Sequence, residues 1–492
     1  MKLRIKNLNW LAGSPTVILN DATAKKMNVF QNDRVCLKGS KKAYAIVDIF
    51  PKLVKKNEIG LSREISRILK LESDSKIEVS TSEISGANYL ISKKINGEEL
   101  NKEELEFIIT EIVHNNITNA EIAYFTAAEK LSGMTTKEIV NLTKAMIKTG
   151  TKLKFKGTKI ADKHSIGGIP GNRTTPIIIS ICAAAGLIMP KTSSRAITSA
   201  AGTADVMETV TNVELSIKEI KDVVRKTGAC LAWGGSLGLA PSDDKIIKVE
   251  RLLNLDIESQ LIASIISKKV SAGSKYILID VPYGKEAKVT SLKDAKNLGK
   301  KFKEISKYFN LKLKIIYTPG SSPIGNGIGP VLEMKDVIAV LKNSPEAPKD
   351  LKDKSLYLST ELLNLCGVKK PKEKAKEILY SGKAFEKFKE IVLAQSHKKD
   401  FERIEDSLKL GKFKKVYHAK MGGEIKLLRN NRINSLCRIL GTPETISAGV
   451  YIHKKQGTVK RKEPLLTLYS ESKSKMKEAQ RFLRKFPPFR IR

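Results

Sequence analysis

The sequence predicts a multidomain α/β protein with four parts. These are an N-terminal β-rich domain, a helical domain, a central α/β domain with a largely parallel sheet, and a C-terminal α+β domain. Three observations carry the prediction. Short strand-like segments broken by Gly, Asn and Asp fill the first 85 or so residues. Apolar residues take helical spacing from Glu98, and from Thr158 strand-like and helix-like segments alternate to about Leu341. That last pattern is the one left by strands joined through crossover helices. A chain of 492 residues also exceeds what one hydrophobic core supports.

Taken in order, Lys2–Ile5, Arg34–Lys38, Lys42–Ile49 and Lys76–Ser80 read as short strands, giving a domain over 1–85. Segments 120–130 and 136–149 read as helices, and Thr135–Thr136 with Glu138 forms a helix start. Segment 158–162 reads as a strand running into a glycine-rich turn. The helix after it is expected to be capped by Thr174 or Thr175, with Pro176 in its first turn. Ile188–Lys191, Tyr276–Val281 and Leu313–Tyr317 read as further strands, and Gly449–His453 and Leu465–Tyr469 as strands near the C-terminus. Helices 98–150 are the natural packing partners of a later polar-striped helix. The expected domains are therefore 86–150 with 241–272 (helical), 151–240 with 273–410 (α/β) and 411–492 (α+β).

Composition narrows the function. Hydrophobic residues at 41% and charged residues at 29% are the balance of a globular, soluble chain. The longest apolar run, Ile177 to Met189, lies between Pro176 and Pro190 and is too short to span a bilayer. The first twenty residues lack a signal-peptide apolar core, so a cytoplasmic location and no membrane partner are expected. The five cysteines and five histidines are scattered, and neither a disulfide framework nor a metal site is expected. Charge is the unusual feature, with 89 basic against 52 acidic residues, or +37. Such a field draws nucleic acid or small anions. The basic residues are spread along the chain, with dense runs at Lys369–Lys376, Lys412–Lys420, Lys454–Lys462 and Arg481–Arg492, and no nucleic-acid-binding motif accompanies them. A solvated basic surface is therefore the expected reading of the charge, and nucleic-acid binding is not.

Three segments carry chemistry. In the first, Asp162-Lys163-His164-Ser165-Ile166-Gly167-Gly168, a strand leads into glycines and a helix starts soon after. Glycines let backbone N–H groups approach an anion, Lys163 supplies a cation and Ser165 a hydroxyl. A tight turn with glycines for geometry alone fits the same residues. In the second, Ser193, Ser194, Arg195, Thr198, Ser199, Gly202 and Thr203 follow a strand. The carboxyl end of a parallel strand is where α/β proteins bind ligands, although a solvated Ser/Thr loop reads the same way. In the third, Asp256, Gln260, Ser264 and Lys268 recur every four residues beside an apolar face of Ile257, Leu261 and Ile265. Taken by themselves these residues favour an ordinary amphipathic helix with Asp256 as its N-cap. Asp243 and Asp244, after Pro241, are expected in the first turn of a helix.

Together the three segments resemble the thymidine and pyrimidine-nucleoside phosphorylases, in order from about residue 86 to the end. The resemblance implies that Lys163, Ser165, Ser193 and Thr203 hold phosphate and that Ser264 and Lys268 face the nucleoside. The chain departs from those enzymes in its first 85 residues, in Val249 where they place an arginine, and in Pro282-Tyr283-Gly284-Lys285-Glu286-Ala287-Lys288 where they carry a glycine-rich segment. These departures resemble the archaeal branch of the family that acts on AMP. That branch implies an AMP site of Gly168, Ser194, Arg195, Ala196, Ile197, Thr198, Ser199, Thr203, Ser264 and Lys288, with Asp256 as proton donor. Inorganic phosphate is then a co-substrate, no cofactor is needed, and a homodimer or larger homo-oligomer is expected. A pyrimidine-nucleoside phosphorylase, a magnesium-dependent phosphoribosyltransferase and a nucleic-acid-binding protein are the alternatives.

Overall fold

In the strand Lys2–Asn7, Leu3 and Ile5 are buried while Lys2 and Arg4 are exposed, the alternation of a strand with one face on a core. A computed structural model gives the whole fold and describes residues 1–39, 41–70, 75–82, 85–196, 199–396 and 400–492. The described chain divides into two units, Met1–Thr149 with Ala240–Ser264, and Gly150–Leu239 with Ile265–Arg492. The division between Ser264 and Ile265 falls inside the helix Glu258–Ser271.

The first unit opens with a closed six-stranded barrel. Its strands run in the order Lys2–Asn7, Glu58–Leu61, Thr16–Leu19, Lys42–Ile49, Arg34–Lys38 and Lys76–Thr81. Leu3, Val17, Val35, Leu37, Ile59 and Val79 fill it. Glu58–Leu61 and Thr16–Leu19 were not read from sequence. Each is four residues long and buried almost throughout, so neither shows the alternation that marks a strand. The helices Lys102–Val113, Asn119–Ser132 and Thr136–Thr149 follow. The last starts where Thr135 and Glu138 predict. The Thr135 N–H donates to Glu138 Oε2 at 2.9 Å, and the Glu138 N–H to Thr135 Oγ1 at 3.3 Å. The same carboxylate accepts the Lys94 ammonium at 2.8 Å and the Leu100 N–H at 2.9 Å. Pro241–Leu253, with Asp243 and Asp244 in its first turn, belongs to this unit.

The second unit holds the parallel strands. Lys312–Pro319, Tyr276–Tyr283 and Ala161–Ser165 form one sheet in that order, and Met189–Ser193 pairs with Ala229–Trp233 in another. A parallel bridge between Ile160 and Ile188 links the two sheets. The apolar run becomes the helix Thr174–Ala184, buried against the helices Lys349–Leu365, Pro371–Tyr380 and Lys383–Gln395. It is a core helix. Among the described residues no helix is long and apolar enough to cross a membrane. Residues 411–492 form two antiparallel sheets carrying the helices Asn430–Leu440 and Lys473–Lys485, and Gly327–Ile328 joins the first sheet by pairing with Gly449–Ile452. All five cysteines are free and buried.

Beyond shifts of one or two residues at element ends, two boundaries differ from expectation. The strand expected at 158–162 is Ala161–Ser165, because Asp162 and Lys163 find buried partners that allow a charged segment inside. The following helix begins at Thr174 with Arg173 in the capping position and no side-chain cap, because the Thr174 hydroxyl instead accepts from Lys163 at 2.9 Å.

The Lys94–Glu138 pair is nearly inaccessible, at 3% and 1% side-chain exposure. Glu138→Ala would strand a buried ammonium and two backbone donors, and should destabilise the first unit by about 3–5 kcal/mol. Urea unfolding checks this; a loss below about 1 kcal/mol would mean that water replaces the carboxylate.

Candidate active site

The strand Ala161–Ser165 carries the first candidate residues on its carboxyl end. Lys163 has no solvent exposure. Its ammonium donates to Thr174 Oγ1 at 2.9 Å, and burial pushes it down to about 7, against the pull of Asp280. Asp162, equally buried, lies 2.7 Å from the Lys269 ammonium and 3.2 Å from that of Lys191. Burial would raise this carboxyl, but the two lysines overcome it and hold it below the ordinary value. One carboxylate cannot fully balance two ammonium groups in a dry site. Lys191, buried and beside Lys269, is pushed down to about 7. Burial, with Lys269, Lys191 and Lys163 around it, keeps the His164 imidazole well below its ordinary range and therefore neutral.

A second buried carboxylate, Asp280, pairs in register with Ser165. It accepts the Ser165 hydroxyl at 2.6 Å and the Thr318 hydroxyl at 2.6 Å. Lys354 lies 2.9 Å from Oδ2, an ion-pair distance without an aligned hydrogen bond. Burial opposes the charge, yet Lys354 and Lys163 hold Asp280 below its ordinary value. Ser165 also accepts from Asn172 Nδ2 at 3.2 Å. Its proton is thus committed to Asp280, and its remaining capacity is as an acceptor.

Ser193 ends its strand at the same level as Ser165, since both lie five residues beyond the Ile160–Ile188 bridge. Its hydroxyl is buried without a hydrogen-bond partner among the described residues, as is Asn172 Oδ1. Buried polar atoms of this kind call for a ligand or water. Arg173 ties the glycine-rich turn to the next loop, donating to Thr203 Oγ1, the Ala201 carbonyl and Glu333, each at 2.7 Å. Thr203 accepts from the guanidinium, so its own proton points elsewhere and can serve an anion.

In the loop after Ser193, Gly202 is packed against backbone. A Cβ there would meet Arg195 C at 2.5 Å and Ser194 O at 2.6 Å. Asp205 Oδ2 accepts the Ala196 and Gly202 N–H groups, both at 2.7 Å. The Arg195 guanidinium is turned to Glu208 and to Glu214 at 3.0 Å, and lies over the Trp233 ring at 4.8 Å. Ser194 is exposed, and the Ser199 hydroxyl donates to the Ala201 carbonyl at 2.8 Å. Ile197 and Thr198 lie outside the described residues. Gly168, at φ +104°, approaches Lys288, whose backbone N and Cβ lie 3.6 Å from where a Cβ would sit. Two segments distant in sequence, each expected to touch AMP, are thus adjacent.

Asp256 lies two residues before the helix Glu258–Ser271 and is exposed. It is not the N-cap, because the first helical bond runs from the Leu261 N–H to the Ile257 carbonyl at 2.9 Å. Burial of Ile257 draws that residue into the cap position. The Asp256 carbonyl accepts from Lys130 at 3.3 Å. Within the polar stripe, Gln260 is buried and donates to Glu129 at 2.5 Å, and Ser259 donates to the same carboxyl at 2.8 Å. Ser264 and Lys268 are half-buried. Burial pushes the Glu129 carboxyl up to about 8.

Sequence reasoning missed Asp280, Lys191, Lys269, Lys354, Arg173 and Glu129. One signal was available: Asp280 sits within an otherwise apolar strand, where a charge is tolerated only with partners.

The helical bundle domain of a glycosyl transferase family matches residues 88–150, and the a/b domain of that family matches residues 157–385. The AMP phosphorylase of Pyrococcus furiosus is 39% identical over 100% of this chain and 98% of its own length. That of Pyrococcus horikoshii is 41% identical over the same shares, and that of Methanococcoides burtonii 38% identical over 99% and 97%. The crystal structure of the anthranilate phosphoribosyltransferase of Thermus thermophilus aligns with 62% of this chain and 98% of its own, with a TM-score of 0.50 and 17% identity. It shows a shared fold.

Glu129 gives a test of the charge states in the first unit. Its folded-state pKa is raised, so its contribution to stability is present below the unfolded value and lost as pH rises through about 8. Glu129→Gln keeps the shape and abolishes the titration. The variant should gain thermal stability over the native chain, and the gain should be larger at pH 9 than at pH 5. A gain independent of pH would mean that Glu129 ionises normally.

Proposed function

The chain belongs to the AMP phosphorylase family, and we propose that it cleaves the N-glycosidic bond of AMP with inorganic phosphate, releasing adenine and ribose 1,5-bisphosphate. The observation that supports this most is the buried cationic cluster at the carboxyl end of the parallel strands. Lys163 stands there with a weakly held proton, and the Ser193 hydroxyl at the neighbouring strand end has no hydrogen-bond partner among the described residues. A dianion entering such a site gains charge-assisted hydrogen bonds in a low dielectric and restores full charge to its lysine.

In this reading Lys163, Ser193 and Thr203 hold the attacking phosphate. Ser165, whose proton goes to Asp280, takes part by accepting from a protonated phosphate oxygen or by turning its hydroxyl. Phosphate oxygen bonds to C1′ as the bond from C1′ to adenine N9 breaks, and that electron pair goes to the base. Adenine leaves poorly as an anion, and Asp256 protonates its ring as it departs. General acid catalysis of this kind is worth roughly 10²–10⁴ in rate. Gly168, the backbone from Ser194 to Ser199, and Ser264 contact the nucleoside, Lys288 the 5′-phosphate and Lys268 the base. Arg195 is engaged by carboxylates, so it orders its loop rather than binding phosphate directly.

Phosphate-dependent base release from AMP, CMP, UMP, adenosine, thymidine and uridine tests the proposal. Release should be fastest from AMP; a preference for thymidine or uridine would favour pyrimidine-nucleoside phosphorolysis instead. Asp256→Asn should cut kcat by about 10² or more, with little change in AMP affinity. Unchanged turnover in the folded variant would remove the acid role. Lys288→Ala should lower kcat/KM for AMP by about tenfold or more relative to adenosine, since only AMP carries the 5′-phosphate. Equal losses on both substrates would place Lys288 outside the phosphate contact.

A further inference from the structure

The helix Asn430–Leu440 of the C-terminal domain presents Asn430 and Asn434 four residues apart, and so on one face. Both are buried. Asn434 Oδ1 accepts the Ala200 N–H at 3.1 Å, and its Nδ2 donates to the Gly168 carbonyl at 3.4 Å. Asn430 Nδ2 donates to the Glu286 carbonyl at 3.1 Å and to the Gly320 carbonyl at 3.0 Å. Arg429, in the capping position, adds an ion pair to the Glu286 carboxylate at 3.4 Å. One helix therefore grips four separate segments by their backbones: the glycine-rich turn, the loop that leads into Thr203, the Tyr283–Lys288 region, and Gly320 at the end of the strand Lys312–Pro319.

The Gly168, Ala200 and Glu286 backbone groups lie outside the named strands, so no strand ladder pairs them with one another. A side-chain amide suits the task because it offers a donor and an acceptor together without charge. We propose that Asn430 and Asn434 are positioning residues which set the spacing of the three ligand segments, so that the C-terminal domain completes the nucleotide site. The assignment of those segments to AMP rests on the function proposed above; the clamp itself does not.

The test uses the full chain and three variants, Asn430→Ala, Asn434→Ala and Asn434→Asp, read by amide hydrogen exchange and by steady-state kinetics. Asn434→Ala should speed exchange in 164–170 and 199–203. Asn434→Asp keeps the acceptor for Ala200 and loses the donor to Gly168, so only 164–170 should respond. Asn430→Ala should act on 284–290. In kinetics, the KM for AMP should rise roughly fivefold for each hydrogen bond lost, with kcat within about threefold and the KM for phosphate moving only in Asn434→Ala, which frees the loop that leads into Thr203. Asn430→Ala should spare adenosine relative to AMP, because its segment carries Lys288. Exchange unchanged in these segments, or raised equally everywhere, would overturn the clamp. A native chain that releases no base from AMP would overturn the proposed function and leave the exchange result to judge the clamp alone.

Discussion

Two carboxylates without solvent exposure, Asp162 and Asp280, must be balanced by positive charge, and the carboxyl end of the parallel sheet is arranged around that requirement. Asp162 has Lys191 and Lys269; Asp280 has Lys354 and Lys163 nearby. Those cations outnumber the carboxylates. In a low dielectric an excess ammonium is relieved by releasing its proton or by gaining an anion. The downward shifts of Lys163 and Lys191 express the first route, and binding of phosphate is the second.

The orientation of the hydroxyl groups follows from the same constraint. Asp280 takes the protons of Ser165 and Thr318, while the Arg173 guanidinium fills the acceptor side of Thr203 and frees its proton. Arg173 in turn depends on Glu333, which is buried and whose carboxyl is pushed up by that burial against the pull of the guanidinium. The loops that present these groups carry no ladder of their own, and Asn430 and Asn434 hold them from the C-terminal domain. Charge balance thus decides what the site attracts, and neutral amides decide where its loops stand.

Much of this was legible in sequence at the level of elements. The glycine-rich turn was placed after a strand, the Ser193–Thr203 loop after another, and the helix start at Thr135 was read from its capping residues. The errors share a cause. The strand from 158 is read as ending at Asp162 because four polar residues follow one another from there, and only lysines at 191, 269 and 354 let it run on to Ser165. Asp256 reads as an N-cap by residue type, yet burial of Ile257 moves the helix start. Thr16–Leu19 and Glu58–Leu61 show no alternation because the closed barrel covers one face and the helix Arg63–Leu69 packs against both strands. Nothing local to Asn430 or Asn434 reports that their partners lie some 110 to 266 positions away.

The claim that a weakly protonated buried lysine receives phosphate has a direct thermodynamic consequence. If the Lys163 ammonium holds its proton at about 7 in the free protein, binding of phosphate at pH 8 must recharge it and draw a proton from solution. Calorimetric titration with phosphate in buffers of different ionisation enthalpy measures that uptake. The account predicts a net uptake approaching one proton in the native chain and much less in Lys163→Arg, whose guanidinium stays charged throughout. Phosphate binding with no proton uptake in the native chain would contradict it.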